Sequence, residues 1–473
     1  MSHFFEQLMD NPLAVRDNTY DQGYQLAAEQ LQRFHLHWAG KRFAELRPRI
    51  SVLDKLAREQ GIDAITDIEQ VGHLLFAHSV YKSYPMSYLE RNRFDMLTKW
   101  LAKLTSTDLS HIDANGIETI DDWLDLLDAQ TPLMVLHTSG TTGKLSFLPR
   151  TKAQSRDMGI IAANILRDWN GPFSRPDMLS HHRPLINPGY RYGAGTAQRM
   201  AGVQVELYAG GDDNALFLYP NQRLSADLIS LAGRLRTAEA RGEQGRLEIS
   251  PGLLRRRDEL IEMEKQRPQA IANFLETART RFAGQDVYIG TLYGMVYDWA
   301  VEGLAKGHSN IFGPDSFLSC GGGTKGRVFP DDWRETIQTF LGFSTFSETY
   351  AMTESMGMAT LCEQGHYHLA PFTVPFLLDP RSGAQLPRVD GTSGRFAFLD
   401  LLPDNYWAGM VTGDAVTMGG FQQPCGCGRQ GYYVHKDVRR YSDMEGGDDK
   451  VLCSGAPEAH DKALAFLTET LTR

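Results

Sequence analysis

Five cysteines in 473 residues are too few for a disulfide framework, and the chain reads as one suited to a reducing compartment. No apolar stretch approaches the ~20 residues that cross a bilayer. The start, MSHFFEQLMDNPLAV, lacks the basic end, apolar run and small-residue cleavage site of a secretory signal. A basic surface is missing too: 48 Lys and Arg against 58 Asp and Glu leave a formal charge of −10. That balance argues against a general affinity for nucleic-acid phosphates. There is no internal repeat or low-complexity tract, and 45 Gly with 21 Pro stay well below the share of a disordered chain. These absences leave a cytoplasmic globular protein that binds neither nucleic acid nor membrane. Its length exceeds what one core serves and suggests two or three packed units of roughly 150 residues.

Residues 1–130 read as mostly helical. Apolar positions recur every three or four residues in LAAEQLQRFHLHWAGKRF and in SYLERNRFDMLTKWLAKL, as in amphipathic helices. Asp121 and Asp122 mark a helix start before WLDLLDA. The texture then changes: PLMVLHTSGTTGKLSFLPRT is a buried-strand pattern, a Gly/Ser/Thr loop and a second strand-like run, and a helix follows from Thr151. To about residue 350, strand-like VQVELYAG and QDVYIG alternate with helical LSADLISLAGRL and LYGMVYDWAVEGLAKG. That alternation predicts an α/β fold with a mainly parallel sheet. Residues 236–282 are charged and helical, and Arg255–Arg257 at their centre read as a solvated helix face. After residue 360 turns and short strands dominate, including GTSGRFAFLDLL and AGMVTGDAVTM.

The most informative stretch is Thr138-Ser139-Gly140-Thr141-Thr142-Gly143-Lys144. Such a loop after a strand offers unobstructed N–H donors and hydroxyls to phosphate oxygens. A Walker A motif fails on spacing, because only two residues separate Gly140 from Gly143 and Leu145 follows Lys144. Ser139 does not form a G-x-S-x-G elbow, and no nucleophile triad stands out.

The loop resembles the phosphate loop of the adenylate-forming superfamily, which includes acyl-CoA synthetases, peptide-synthetase adenylation domains and luciferases. Its form with LSFLPR is closest to one branch: phenylacetate–CoA ligases, luminescence acyl-protein synthetases and phenazine-biosynthesis proteins. Three further segments follow in the family's order. Gly321-Gly322-Gly323 resembles the segment against adenine, where a missing Cβ lets backbone approach a flat base. Tyr350-Ala351-Met352-Thr353-Glu354 resembles Tyr-Gly-x-Thr-Glu, with Ala351 in place of Gly. The resemblance implies that Tyr350 stacks on adenine, Thr353 meets the α-phosphate and Glu354 holds Mg²⁺. Thr412-Gly413-Asp414 resembles the Thr-Gly-Asp whose carboxylate accepts the ribose hydroxyls, and Arg429 joins the nucleotide-binding set. The implied fold is the family's large N-terminal α/β domain of mixed sheets and helices over 131–445, preceded by the helical segment 1–130. The implied activity is ATP-dependent conversion of a small carboxylic acid to an acyl-adenylate, with Lys144, Thr353 and Glu354 catalytic.

Cys425-Gly426-Cys427 carries two thiols one residue apart, and Cys362 and His368 lie upstream. These four make a Cys₃His set suited to tetrahedral Zn²⁺ in the turn-rich segment 360–430, with His366 as an alternative fourth ligand. Similar positions recur in the phenylacetate–CoA ligase branch. Buried free cysteines are the competing reading, and Cys320 and Cys453 read as small core residues. Aromatics near the expected acyl site, Tyr190, Tyr293 and Tyr297, fit either a ring-containing acid or plain core.

Family members usually carry a mobile C-terminal domain with a catalytic lysine. Here a hinge-like Gly447-Asp448-Asp449-Lys450 leaves only a short remnant, 446–473, with Lys450 and Lys462 as weak counterparts. The resemblance then implies a partner for the activated acyl group: a carrier protein or an acyl-CoA-reductase-like enzyme, in secondary metabolism. Two alternatives stay open: a nucleotide binder without turnover, and adenylate chemistry on nitrite or an amine.

Overall fold

The computed structural model describes residues 2–17, 20–138, 144–169, 178–242, 251–255, 257–321, 327–441 and 444. Its first strands in chain order are β1 (Phe76–Ala77), β2 (Leu136–His137), β3 (Phe147–Leu148), β4 (Leu185–Gly193), β5 (Ala215–Leu224), β6 (Tyr288–Thr291), β7 (Phe317–Gly321) and β8 (Phe346–Tyr350). The second half adds β9 (Ala359–Leu361), β10 (His366–His368), β11 (Thr373–Leu378), β12 (Thr392–Asp400), β13 (Gly409–Gly419), β14 (Tyr433–His435) and β15 (Arg439–Arg440).

The fold is α/β, as the alternation predicts, but the large sheet is mixed, as the resemblance implies, rather than mainly parallel. One large sheet runs in the order β11-β12-β13-β14-β10-β9-β8-β7-β6-β4-β5, with β1 and β15 paired to β13. Strands β5, β4, β6, β7 and β8 are mutually parallel, whereas β8 to β9 and the path onward to β11 are antiparallel. Parallel neighbours need crossovers, and helices Thr196–Gln204, Tyr293–Ala305 and Trp333–Leu341 supply three of them. Their packing is tight: a Cβ on Gly303 would collide with the Phe340 ring, so the two crossover helices meet only because that position is bare.

Strands β2 and β3 form a separate antiparallel pair around the Gly/Ser/Thr loop. The amino-terminal helices are not a free unit. Helix Ala28–Leu46 buries Leu31, Phe34, Trp38, Phe43 and Leu46 in one core with Val374, Phe376, Phe396 and Phe398 of β11 and β12. Among the described residues no helix is long and apolar enough to cross a membrane.

Two expected elements differ. VQVELYAG reads as a strand in sequence, but helix Thr196–Gln204 runs on into a π-helical turn, Val205–Ala209, closed by Gly210 at φ 75°. Val203, Val205, Leu207 and Tyr208 are all buried, and Tyr208 donates to Gly159 O at 2.7 Å. A short apolar run has no period that separates the two structures, so packing decided it. The helical pattern over SYLERNRFDMLTKW is likewise split, because Asn92 takes φ 52° between helices Ser87–Glu90 and Phe94–Leu101. Helix Pro251–Arg255 and helix Arg257–Arg281 cover the charged stretch, with Arg256 outside the described residues.

His35 ties the amino-terminal helices to the sheet, with Nε2 2.7 Å from Pro371 O. Burial holds its imidazole down to about 3, although the Pro371 contact opposes the shift. Between about pH 6.5 and about 3 the unfolded chain therefore binds a proton here that the folded chain refuses. Stability should fall on acidification by about 1.4 kcal/mol per pH unit from this group. Denaturant unfolding at pH 7 and pH 5 should show a shallower acid slope in His35→Gln. An unchanged slope would remove His35 from the proton linkage.

Candidate functional site

The parallel strands end together. β4 runs out at Gly193, β6 at Thr291, β7 at Gly321 and β8 at Tyr350, so their carboxyl ends lie along one edge of the sheet. Ligands in α/β sheets bind outside such carboxyl ends. The Tyr350–Glu354 segment begins there, where the sheet switches from parallel to antiparallel pairing at β8.

Tyr350 and Asp414, 64 positions apart, meet. The phenol donates to Asp414 Oδ2 at 2.7 Å, and Arg440 Nε stands 3.7 Å from Oδ1. Asp414 sits on β13, where its backbone N–H donates to Thr412 Oγ1, itself bonded to Phe396 O. Burial, with the Asp414 charge next, raises the Tyr350 phenol well above its usual value. Thr353 Oγ1 is 2.8 Å from Thr196 Oγ1, in the first turn of the helix after β4. Glu354 stands beside them, partly exposed, its pKa raised first by burial and then by the charge of Asp414. A carboxylate crowded this way gains from a nearby cation.

Two buried charges that the sequence did not flag hold this segment. Arg150 is fully buried just beyond β3, and its Nη2 donates to the carbonyls of Thr353 (2.9 Å) and Ser355 (3.1 Å), on either side of Glu354. Asp400, also buried, accepts from Met356 N (2.6 Å) and Ser355 Oγ (3.3 Å). Arg150 ends the LSFLPR run and Asp400 ends a strand, but neither residue's type or spacing names its partners, so only the fold reveals these contacts. Thr196 lay equally hidden in an unremarkable helix start.

Of the Gly/Ser/Thr loop, Ser139, Gly140, Thr141, Thr142 and Gly143 lie outside the described residues, as do Gly322 and Gly323. The loop's neck is described. Thr138 N donates to Ser146 O at 3.2 Å and Ser146 N to Thr138 Oγ1 at 3.3 Å, which holds the two ends of the loop together. Lys144 Nζ lies 5.0 Å over the Tyr84 ring, and Tyr84 donates to Leu145 O at 2.9 Å. Burial lowers the Lys144 pKa, with Lys82 adding to the effect.

Cys362, His368, Cys425 and Cys427 converge, their ligand atoms all within 4.8 Å of one another. Cys362 Sγ is 3.9 Å from Cys425 Sγ, and Cys427 Sγ is 3.3 Å from His368 Nε2. A tetrahedral Zn²⁺ with bonds of about 2.3 Å to sulfur and about 2.0 Å to nitrogen sets these edges at about 3.8 and 3.5 Å. The donor set therefore fits the ion in both chemistry and spacing. Burial pushes the Cys425 thiol up to about 12 and raises Cys362, and it holds His368 down at about 3. His366 also comes close, with Nδ1 3.1 Å from Cys425 Sγ. Arg429, assigned to the nucleotide set by resemblance, is placed here, its Nη1 3.7 Å from Cys427 Sγ. Cys320 is buried in β7 as expected, and Cys453 lies outside the described residues.

Of the aromatics named for an acyl pocket, Tyr293 and Tyr297 share one helix and one ring cluster with Phe329 and Trp333, and Tyr190 packs on a different partner. Tyr293 is buried edge-on against Trp333 (4.8 Å) near Arg334, Tyr297 meets Phe329 (5.3 Å), and Tyr190 stacks on Tyr219 (4.4 Å).

No family profile and no curated protein matches this chain. Among solved structures, the chain is similar to a 2-hydroxyisobutyryl-CoA ligase in complex with 2-HIB-AMP and CoA. The identity is 12% and the TM-score 0.47, with 89% of this chain and 72% of that one covered. It is also similar to ATP-bound MatB from Rhodopseudomonas palustris, at 14% identity and TM-score 0.35, over 66% of this chain and 48% of that one. The chain thus spans about half the length of MatB.

Proposed function

We propose that the protein is an ATP-dependent acid-activating ligase that forms an acyl-adenylate and releases pyrophosphate. What supports this reading most is the Tyr350–Asp414 hydrogen bond, with Thr353, Thr196 and Glu354 gathered beside it at the carboxyl ends of the parallel strands. The order of the four sequence segments points the same way. In this reading Tyr350 offers its face to adenine, and Asp414, already oriented by Tyr350 and Thr412, accepts the ribose hydroxyls. The Thr353 hydroxyl and the N–H groups of the Gly/Ser/Thr loop hold the α-phosphate and its neighbours. The acid's carboxylate oxygen attacks the α-phosphorus, and the bond to the bridging oxygen of pyrophosphate breaks. No general base is required, since the acid is already ionised at neutral pH. The chain's task is therefore positioning and charge neutralisation. Mg²⁺, held by Glu354, would supply charge neutralisation at the phosphates. The acyl group then passes to a thiol, a partner enzyme or another nucleophile.

ATP–pyrophosphate exchange across a panel of carboxylic acids tests this. Acid-dependent exchange is the expected result. Tight ATP binding with no exchange for any acid, nitrite or amine would leave a nucleotide-binding protein without turnover. Asp414→Ala should weaken ATP binding by about 2 kcal/mol, roughly 30-fold, because it strips the ribose hydroxyls and the Tyr350 phenol of their acceptor. Calorimetry showing unchanged affinity would end the ribose assignment.

We also assign Cys362, His368, Cys425 and Cys427 to a structural Zn²⁺. The ion would cross-link β9, β10 and the Cys425–Cys427 turn, and a closed four-ligand site serves folding rather than chemistry. Protein purified without added zinc should carry about one equivalent per chain. Cys427→Ser should lower the melting temperature more than it lowers exchange. Metal-free protein of undiminished stability would return these residues to plain buried thiols.

A further inference from the structure

Beside the cysteine cluster stands a pair of imidazoles that the four-ligand reading leaves over. Strands β10 and β14 are antiparallel, and His366 lies directly opposite His435 in their register. The two rings are 4.6 Å apart between centroids and tilted by 52°. Both residues are partly exposed, whereas Tyr433, on which His366 stacks at 4.2 Å, is buried. Stacking fixes the plane of His366, and its Nδ1 is 3.1 Å from Cys425 Sγ. Period-two alternation puts His366 and His368 on one face of β10, and Tyr367 on the other, 6.0 Å from the Tyr350 ring.

Chemistry follows from that contact. The contact with Cys425 Sγ occupies Nδ1 of His366, which leaves Nε2 as its other ring nitrogen. A neutral imidazole can bind an ion through that nitrogen. Two imidazoles bound to one ion at about 2.0–2.1 Å place their ring centroids about 4.5–5.2 Å apart as the angle at the ion opens from square to tetrahedral, and this pair stands at 4.6 Å. Imidazole donors suit Zn²⁺, Ni²⁺ or Cu²⁺ rather than Mg²⁺ or Ca²⁺.

We propose that His366 and His435 form a second, solvent-facing site for a divalent transition-metal ion, next to the cysteine centre and joined to it through the His366–Cys425 contact. Two protein ligands leave the remaining positions to water, so this ion is held more loosely than one in a closed four-ligand site. The link to the cysteine centre rests on the Cys₃His reading; the cross-strand pairing does not.

The test titrates the protein as purified, dialysed against metal-free buffer, with Zn²⁺ by calorimetry, alongside elemental analysis of what remains bound. The expected result is one further exchangeable equivalent, weakened at least ~10-fold in His435→Ala and in His435→Gln, which keeps size and polarity. The tightly held equivalent should be unchanged in both variants and lost in Cys427→Ser. No further binding below ~1 mM, or binding in both His435 variants equal to the parent, overturns the proposal. Loss of the tight equivalent in His366→Ala would make His366 a ligand of the first ion and also overturn it. Should the purified protein hold no tight metal, the Cys₃His reading fails by itself, and the pair still stands or falls on the His435 variants.

Discussion

Glu354→Gln should cut Mg²⁺-dependent ATP–pyrophosphate exchange by ~10³-fold or more while leaving most nucleotide affinity intact. The substitution keeps the side chain's shape and removes the charge. Glu354 stands between two supports, with Arg150 donating to the carbonyls before and after it and Asp400 holding Ser355 and Met356. Gln should therefore occupy the same place, and the loss should come from the missing carboxylate rather than from a collapsed loop. Neutralising charge at a transferring phosphoryl group contributes several kcal/mol, and about 4 kcal/mol corresponds to ~10³ in rate. The adenine and ribose contacts proposed for Tyr350 and Asp414 do not involve this side chain, so binding should drop far less than turnover. Exchange assayed against Mg²⁺ concentration, with ATP binding by calorimetry, separates the two. Parent-like exchange in the variant would remove Glu354 from the metal role.

Lys144→Ala should slow single-turnover formation of the acyl-adenylate by at least ~10²-fold, the cost of losing one preorganised charge-stabilising donor. Lys144 leaves the Gly/Ser/Thr loop directly, and the Thr138–Ser146 neck keeps that exit close to β2 and β3. Its ammonium rests 5.0 Å above Tyr84, a contact of about 0.5–2 kcal/mol that a phosphate can outbid. Burial lowers its pKa, so the side chain is a cation poorly served by its present surroundings. Lys450→Ala and Lys462→Ala, at positions outside the described residues, should each change the rate by less than ~10-fold. Collapse in either of those variants, with Lys144→Ala near normal, would transfer the charge-stabilising role to the tail.

Fold class and the metal-capable residues are legible in the chain's residue pattern. Strand-like and helical segments alternating to about residue 350 point to a parallel sheet with crossovers, although VQVELYAG, one of the two strands read there, is helical. Four of the chain's five cysteines appear as free thiols among the described residues, and three of them, with His368, meet in one cluster. Their residue types alone announce a soft, borderline-metal donor set. Tertiary structure decided the rest, wherever the information lies between segments rather than within one. VQVELYAG became a helical turn because Tyr208 and its neighbours bury against the helix carrying Gly159. Arg150 and Asp400 gained a role only when the fold laid residues 353–356 across them, since a single charge has no period or motif to read. His435 emerged through strand register, which sets it opposite His366 although the two are far apart along the chain. Local sequence specifies backbone preference and face; which faces meet is settled by burying apolar surface over the whole chain, a sum that no single segment contains.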